Sequence, residues 1–127
     1  MIILNFSHPL TPAQVADLER MAGQPAEQVL DAPAHFDVGQ SFAAQARALL
    51  DGLPLAPDAW QSAETPLLVV PPALGVLAAV LLAEMHGRMG HFPSVARIRP
   101  VEGPFPGYEA AEIINLQAVR HQARPRR

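Results

Sequence analysis

The chain has 127 residues, of which 50% are hydrophobic and 17% are charged, and its formal net charge at pH 7 is −3. This length and composition favour one compact domain and exclude a disordered chain. The absence of cysteine excludes a disulfide framework and thiolate chemistry. The chain also lacks lysine, and its acidic balance gives no general reason to bind nucleic acid.

The start of the chain is apolar and has no basic residues before its first hydrophobic run, so we expect no signal peptide. The most apolar stretch, residues 67–83, is interrupted by two prolines and is shorter than the roughly 20 residues that a spanning helix needs. These observations predict a soluble, cytoplasmic protein.

The first elements in chain order are a strand over residues 2–7 and a loop over residues 8–10. A helix is expected to follow, with Thr11 as its N-cap, Pro12 as its first residue and Gln14 as the partner of Thr11 in a capping box. Gly23 is expected to end this helix.

A weaker second strand is predicted over residues 27–36, interrupted by Pro33. Asp37 is the expected N-cap of a second helix. Apolar residues at helical spacing mark the buried face of this helix: Phe42, Ala46, Leu49, Leu50 and Leu53. Residues 54–66 are expected to form a linker with one short helical turn near Trp60.

Residues 66–100 are expected to form a strand, a helix and a second strand. The apolar run at residues 67–70 is typical of a strand buried on both faces, and Pro71 and Pro72 end it. The helix over residues 74–89 is apolar nearly all round, which predicts a core helix for most of its length. Gly87 and Gly90 supply the signals that end it.

The second strand of this unit spans residues 92–100. Alternation places Val95, Arg97 and Arg99 on one face, and Ala96 and Ile98 on the other. A turn over residues 102–107 then leads to a strand over residues 108–114, which should pair antiparallel with the preceding strand.

The order β-α-β-α-β-α-β-β predicts a three-layer, Rossmann-like α/β sandwich with a mostly parallel sheet and a C-terminal antiparallel strand. Residues 1–119 are expected to form this single domain. Residues 120–127, which include four arginines, are expected to form a mobile basic tail.

Several familiar sites are excluded because the chain has no GxGxxG, no Walker lysine and no HExxH. Glu84, His86 and His91 could together resemble a metal site, but no cysteine and no second local carboxylate support it. A histidine near a helix C-terminus and a separate loop histidine are the favoured interpretation. We therefore predict no metal and no cofactor.

Two segments should meet at the carboxyl ends of the parallel strands, where such sheets bind ligands. In the first, Asn5, Ser7 and His8 either take part in a site or only satisfy the backbone of a loop. In the second, the turn of Pro71, Pro72, Ala73, Leu74 and Gly75 either only connects two elements or offers N–H groups to an anion at a helix N-terminus. Gly75 would let a phosphate approach closely.

Four motifs together resemble the CRISPR-associated Csx-fifteen family, whose members are small accessory proteins of type III CRISPR loci. They are NFSHPLT at residues 5–11, PPALGVLAA at 71–79, LLAEMHGRMGHFP at 81–93 and EIINLQAVR at 112–120. The resemblance covers both ends and the centre of the chain and leaves residues 24–64 unmatched.

The resemblance implies a role in cyclic oligoadenylate signalling through a homodimer of Rossmann-like (CARF-like) domains, or through a higher assembly around the ligand. The implied activity is binding of cyclic tetra-adenylate, which sequesters the messenger and damps the antiviral response. One alternative is a metal-independent ring nuclease in which an adenosine 2′-OH attacks its own 3′-phosphate, with His8 as general acid or base. A second alternative is a module that binds a protein or RNA without catalysis, although no long nucleic acid is expected.

The candidate ligand-binding residues are Asn5, Phe6, Ser7, His8, Pro71, Pro72, Ala73, Leu74, Gly75, His91, Arg97 and Arg99. His91 is the second choice for acid–base chemistry after His8. Arg97 and Arg99 are expected to meet the ligand or a partner, because they share one face of their strand.

Overall fold

A computed structural model describes all residues, 1–127, and shows an α/β chain. Its elements are β1 (Ile2–Asn5), α1 (Pro12–Ala22), β2 (Gln28–Asp31), α2 (Phe42–Asp51), β3 (Leu67–Val70), α3 (Gly75–Met89), β4 (Ser94–Pro100), β5 (Tyr108–Asn115) and α4 (Leu116–Ala123). Short 3-10 turns occupy Pro57–Gln61 and Arg124–Arg126. The predicted order of elements up to β5 and the helical turn at Trp60 are confirmed, whereas α4 was not predicted.

The five strands form one sheet in the order β2-β1-β3-β4-β5. The first four strands run parallel to one another, and β5 is antiparallel to β4. β1 and β3 are the inner strands that the sequence marks most clearly, because all four residues of each are buried. The predicted mostly parallel sheet with a C-terminal antiparallel strand is therefore confirmed.

The sheet separates two hydrophobic clusters, because successive residues of each strand point to opposite faces. On one face, Ile3, Leu68 and Ala96 pack with Leu18 of α1. On the other, Leu4 and Val69 belong to the cluster that α2, α3 and the 3-10 turn at Pro57–Gln61 cover. The result is the expected three-layer, Rossmann-like sandwich.

The predicted start and end of α1 are confirmed in detail. The Thr11 side chain accepts a hydrogen bond from the Gln14 N–H, and the Gln14 side chain accepts one from the Thr11 N–H at 2.8 Å. Pro12 is the first helical residue, and Gly23 ends the helix with φ of 71°. This positive φ is one that glycine adopts without strain.

The predicted cap of α2 is wrong, since Ser41 rather than Asp37 is its N-cap. Residues 37–40 instead form a turn in which the Asp37 carboxylate accepts a hydrogen bond from the Gly39 N–H at 2.8 Å. The backbone of Asp37 is held by the side chain of Gln45 through both its N–H and its carbonyl. These bonds delay the start of the helix to Phe42.

The prediction that α3 is a core helix for most of its length is also wrong. Only one stripe is buried, at a spacing of four residues: Leu77, Leu81, Met85 and Met89. The helix lies in an outer layer, so its other side faces solvent and Val76 is 60% exposed. Gly90 ends the helix with φ of 80°, while Gly87 lies inside it. None of the helices combines the length and apolar character that crossing a bilayer would require.

Arg88 joins α3 to α2 and to the neighbouring 3-10 turn. Its guanidinium is 2.9 Å from Glu84 and 2.8 Å from Asp51, and it lies 5.4 Å from the centre of the Trp60 ring. Burial acts to lower the pKa of Arg88, but its hydrogen bonds to Glu84 and Asp51 and their negative charges raise the pKa above its usual value. Arg88 therefore remains a fixed positive charge between the two helices.

The remaining differences concern the lengths of strands. β1 ends at Asn5 rather than at residue 7, and β2 covers only Gln28–Asp31 of the predicted residues 27–36. β4 begins at Ser94 instead of residue 92. Pro33 lacks an N–H and Pro93 precedes the start of β4, so the ladder stops near both prolines.

Candidate functional site

The crevice of this sheet lies between the neighbouring strands β1 and β3. The connection through α1 leads from β1 to β2 at one edge, and the connection through α3 leads from β3 to β4 towards the other. Because the two connections leave in opposite directions on opposite faces, the loops after β1 and β3 separate at the carboxyl ends of the strands. This switch point is where open α/β sheets bind ligands.

A cavity of about 720 Å³ lies at this switch point. Its wall consists of residues 7–11 with Gln14, residues 70–73, and residues 96–98 with residues 107 and 108. The volume lies within the roughly 300–1,000 Å³ of small-molecule sites. The loop after β1 and the proline turn after β3 therefore meet in one cavity, as the strand arrangement predicts.

The cavity opens on the face of the sheet that α1 covers. Val70 and Ala96 in its wall belong to the α1 cluster, and Ile98 packs against that cluster. Because these side chains are apolar, the sheet supplies a hydrophobic floor. Polar groups come from the loop and from the first turn of α1.

Asn5 supports the loop that borders the cavity. It is completely buried, its Nδ2 donates to the His8 carbonyl and to Asp31 Oδ1 at 2.8 Å each, and its Oδ1 accepts from the Ser7 N–H at 3.1 Å. The Asn5 amide is therefore engaged in holding the backbone of the loop, which is one of the two roles that the sequence allowed. Phe6 is likewise buried, in the cluster on the α2 and α3 face.

Ser7 and His8 are the two residues of this loop in the cavity wall that carry polar side chains. Neither the Ser7 hydroxyl nor the His8 ring forms a hydrogen bond with another protein group, although the backbone of both residues is held by Asn5. The two side chains are therefore available to a ligand on a backbone of fixed position.

The turn after β3 contributes Pro71, Pro72 and Ala73 to the wall. Leu74 and Gly75 follow directly but are exposed and lie outside the wall. Leu74 is the N-cap of α3 and has no side-chain cap, so the first N–H groups of this helix have no acceptor in the chain. A Cβ added at Gly75 would meet no atom within 4 Å.

Arg97 and Arg99 share one face of β4, and each pairs with a glutamate directly opposite on β5. Arg97 Nε is 2.7 Å from Glu112, and Arg99 Nε is 2.8 Å from Glu109. A bulge leaves Ala111 without a partner between these pairs, which brings both glutamates to the arginine face. Strand alternation places these side chains on the face away from the apolar floor of the cavity.

His91 lies at the other end of the sheet. It borders a second cavity of about 400 Å³ together with Leu67 and Ser94, the first residues of β3 and β4. The structure therefore does not bring His91 and His8 together. Glu84 is engaged with Arg88, and no group of three or more His, Cys, Asp or Glu side chains is arranged to hold a metal ion.

Sequence reasoning missed Gln14 and Tyr108 as parts of the site. Gln14 was assigned only to the cap of α1, yet its Nε2 also donates to the Tyr108 carbonyl at 2.9 Å. Tyr108 begins the strand that pairs with the end of β4, where it is opposite Pro100. The predicted hairpin could have placed Tyr108 at the carboxyl end of the sheet, whereas nothing local in the sequence indicates the contact with α1.

The fold and the crevice define a Rossmann-like α/β domain with a ligand-sized cavity at the switch point of its sheet. Comparison of the chain with protein-family models, with curated proteins and with solved structures found no match.

Proposed function

We propose that this protein binds cyclic tetra-adenylate, the second messenger of type III CRISPR systems, and damps antiviral signalling by sequestering it. The observation that carries the proposal is the meeting of two separated motifs in one cavity. Residues 5–11 and 71–79 resemble segments of the Csx-fifteen family, and residues of both line the cavity at the switch point.

The size of the cavity favours action as a homodimer. A volume of about 720 Å³ suits one part of a ring of four nucleotides rather than the whole ring. A two-fold dimer would offer the same cavity twice to a ligand with a repeating outline. The uncapped N-terminus of α3, next to the wall, would favour the negative charge of the ligand phosphates.

Sequestration is favoured over efficient cleavage because His8 is the only histidine in the wall of the cavity. Cleavage requires removal of a proton from the attacking 2′-OH and delivery of a proton to the departing 5′-oxygen. A positioned acid or base contributes about 10²–10⁴-fold to such a step. One side chain can serve only one of these two transfers at a time.

A slow ring nuclease is the second candidate, and the free His8 ring at the cavity favours it. In this reaction the 2′-oxygen forms a bond to its own 3′-phosphorus while the bond to the 5′-oxygen breaks. The products are a linear tetra-adenylate with a cyclic 2′,3′-phosphate at one end and a 5′-hydroxyl at the other. His8 would move a proton at one of these oxygens.

Thermal unfolding with and without nucleotide tests the proposal. A ligand that binds only the native state adds about 2.7 kcal/mol of stability at 100 times its dissociation constant. Cyclic tetra-adenylate should therefore raise the melting temperature clearly, and linear tetra-adenylate should not. A melting temperature that stays unchanged over a wide range of cyclic tetra-adenylate concentration would contradict the proposal. It would favour the alternative of a module that binds a protein or RNA without catalysis.

A further inference from the structure

We infer that the cavity is a base pocket, in which an adenine ring stacks on Tyr108 while the phosphates of the ligand remain outside at the rim. This inference rests on the proposed function and specifies which part of the ligand enters the cavity. It adds Tyr108, which the family resemblance does not assign, as the residue that contacts the base.

The polarity of the wall argues for a base rather than a phosphate in the interior. The floor is made by Val70, Ala96 and Ile98, and Pro71 and Leu10 add further apolar surface. The guanidinium of Arg97, the one arginine in the wall, is paired with Glu112 on the opposite face. A phosphate placed inside would lose its hydration without gaining a fixed cation, whereas an aromatic base would gain apolar contact.

Tyr108 has the properties of a stacking platform. Tyr108 is 65% exposed although it lines the cavity, and its hydroxyl forms no hydrogen bond within the protein. Its backbone is held by the pairing with Pro100 and by the hydrogen bond from Gln14. Since the backbone is already ordered, stacking a base on this ring requires little further ordering. Aromatic side chains contribute substantially when bases stack on them.

Hydroxyl groups in the wall could read the polar edge of the base. The Ser7 hydroxyl is uncommitted, and Thr11 Oγ1 accepts a hydrogen bond from the Gln14 N–H while keeping its own hydrogen free to donate. Both side chains belong to the loop and cap that face the hydrophobic floor. Ring nitrogens of adenine are acceptors that match such donors.

The composition of the chain allows a direct test, since it has one tyrosine and one tryptophan. Protein labelled with 3-fluorotyrosine reports on Tyr108 alone, and protein labelled with 5-fluorotryptophan reports on Trp60, which is buried beside the second cavity. Cyclic tetra-adenylate and adenosine should shift the fluorotyrosine resonance, and ribose 5-phosphate should not. The fluorotryptophan resonance should stay in place with all three.

Three variants complete the test. Tyr108→Ala should weaken binding of cyclic tetra-adenylate by about ten- to hundredfold, while Tyr108→Phe should retain it within about twofold. Phe105→Ala is the matched control, because Phe105 is an exposed aromatic residue of the same hairpin outside the wall, and it should bind as the wild type does. Each melting temperature is measured to verify folding.

The outcomes separate the base pocket from the proposed function. If the wild type binds cyclic tetra-adenylate but Tyr108→Ala binds equally well and the fluorotyrosine resonance does not move, the base pocket is wrong and the proposed function stands. If the wild type binds no cyclic tetra-adenylate, both are wrong. Equal shifts with ribose 5-phosphate and adenosine would also contradict the inference, because they would place the phosphate inside.

Discussion

Gln14, in the first turn of α1, donates a hydrogen bond from Nε2 to the carbonyl oxygen of Tyr108, which lies 94 positions later at the start of β5. The same side chain accepts a hydrogen bond from the Thr11 N–H through Oε1 at 2.8 Å. One amide therefore joins the cap of α1 to the strand that borders the far side of the cavity. This contact ties the backbone at Tyr108 to the first turn of α1, next to the loop after β1.

Replacing Gln14 separates its two roles. Gln14→Glu keeps an acceptor for the Thr11 N–H but cannot donate to the Tyr108 carbonyl, whereas Gln14→Ala loses both contacts. Because Thr11 still caps the helix, we expect Gln14→Ala to cost about 0.5–1.5 kcal/mol of unfolding free energy, the net contribution of a hydrogen bond, and Gln14→Glu to cost less. Both should weaken ligand binding, which titration measures. Gln122→Ala, at an exposed position in α4, is the control, and equal effects there would contradict the role of Gln14.

Replacing Asn5 tests the support of the cavity loop. Asn5→Ala removes three hydrogen bonds and leaves the Ser7 N–H and the His8 carbonyl without their partner. We expect a loss of about 1–3 kcal/mol of unfolding free energy in urea denaturation, because partly buried backbone groups are left without hydrogen-bond partners. Asn5→Asp should be at least as destabilising at neutral pH, since it places a carboxylate beside Asp31. A variant as stable as the wild type would show that Asn5 does not support the loop.

The sequence predicted the parts of the fold that depend on local chemistry. The capping box at Thr11 and Gln14 and the buried run of β3 are encoded by neighbouring residues, and both are confirmed. The prediction of the N-cap of α2 failed because Asp37 and Ser41 are equally good cap residues. The choice between them depends on how Gln45 holds the turn. The prediction that α3 is mostly buried failed because an apolar sequence shows only which residues can be buried. The neighbouring layers of the fold decide which of them are buried.

Some features of the candidate site could likewise be predicted from the sequence, and others could not. The meeting of the His8 loop with the turn at Pro71 follows from parallel strand pairing, so the sequence could predict it. The pairing of Arg97 with Glu112 on the same face as Arg99 and Glu109 depends on a bulge at Ala111. No local sequence pattern indicated this bulge. The separation of His8 from His91 also follows from parallel strand pairing, because His8 follows β1 whereas His91 precedes β4.

Gly75→Val tests whether phosphates approach the start of α3. A Cβ at Gly75 would point into open space, so the variant should fold normally. If phosphates bind the free N–H groups there, the added side chain should block them and lower affinity for cyclic tetra-adenylate by tenfold or more, about 1.4 kcal/mol. Gly87→Val lies in the same helix with equally open surroundings and should leave affinity unchanged. Unchanged affinity in Gly75→Val would remove this helix end from the site.

Arg97→Ala tests whether the ion pairs between β4 and β5 lie on the face away from the cavity. The Arg97 side chain pairs with Glu112 across exposed strands, so its loss should cost less than about 1 kcal/mol of unfolding free energy. Affinity for cyclic tetra-adenylate should stay within about twofold, because the guanidinium lies on the face away from the cavity floor. Arg99→Ala, which breaks the equivalent pair with Glu109, should behave alike. A large loss of affinity in Arg97→Ala alone would show that Arg97 turns towards the ligand.

The central claim is that the protein holds cyclic tetra-adenylate without cutting it. Labelled cyclic tetra-adenylate is incubated for a long time with protein in excess and a metal chelator, and one half of each sample is denatured before the nucleotide is resolved. We predict that the untreated half contains the nucleotide bound to protein and that the denatured half releases an intact ring. Free ring in the untreated half would contradict binding, and linear product with a cyclic 2′,3′-phosphate in the denatured half would contradict sequestration.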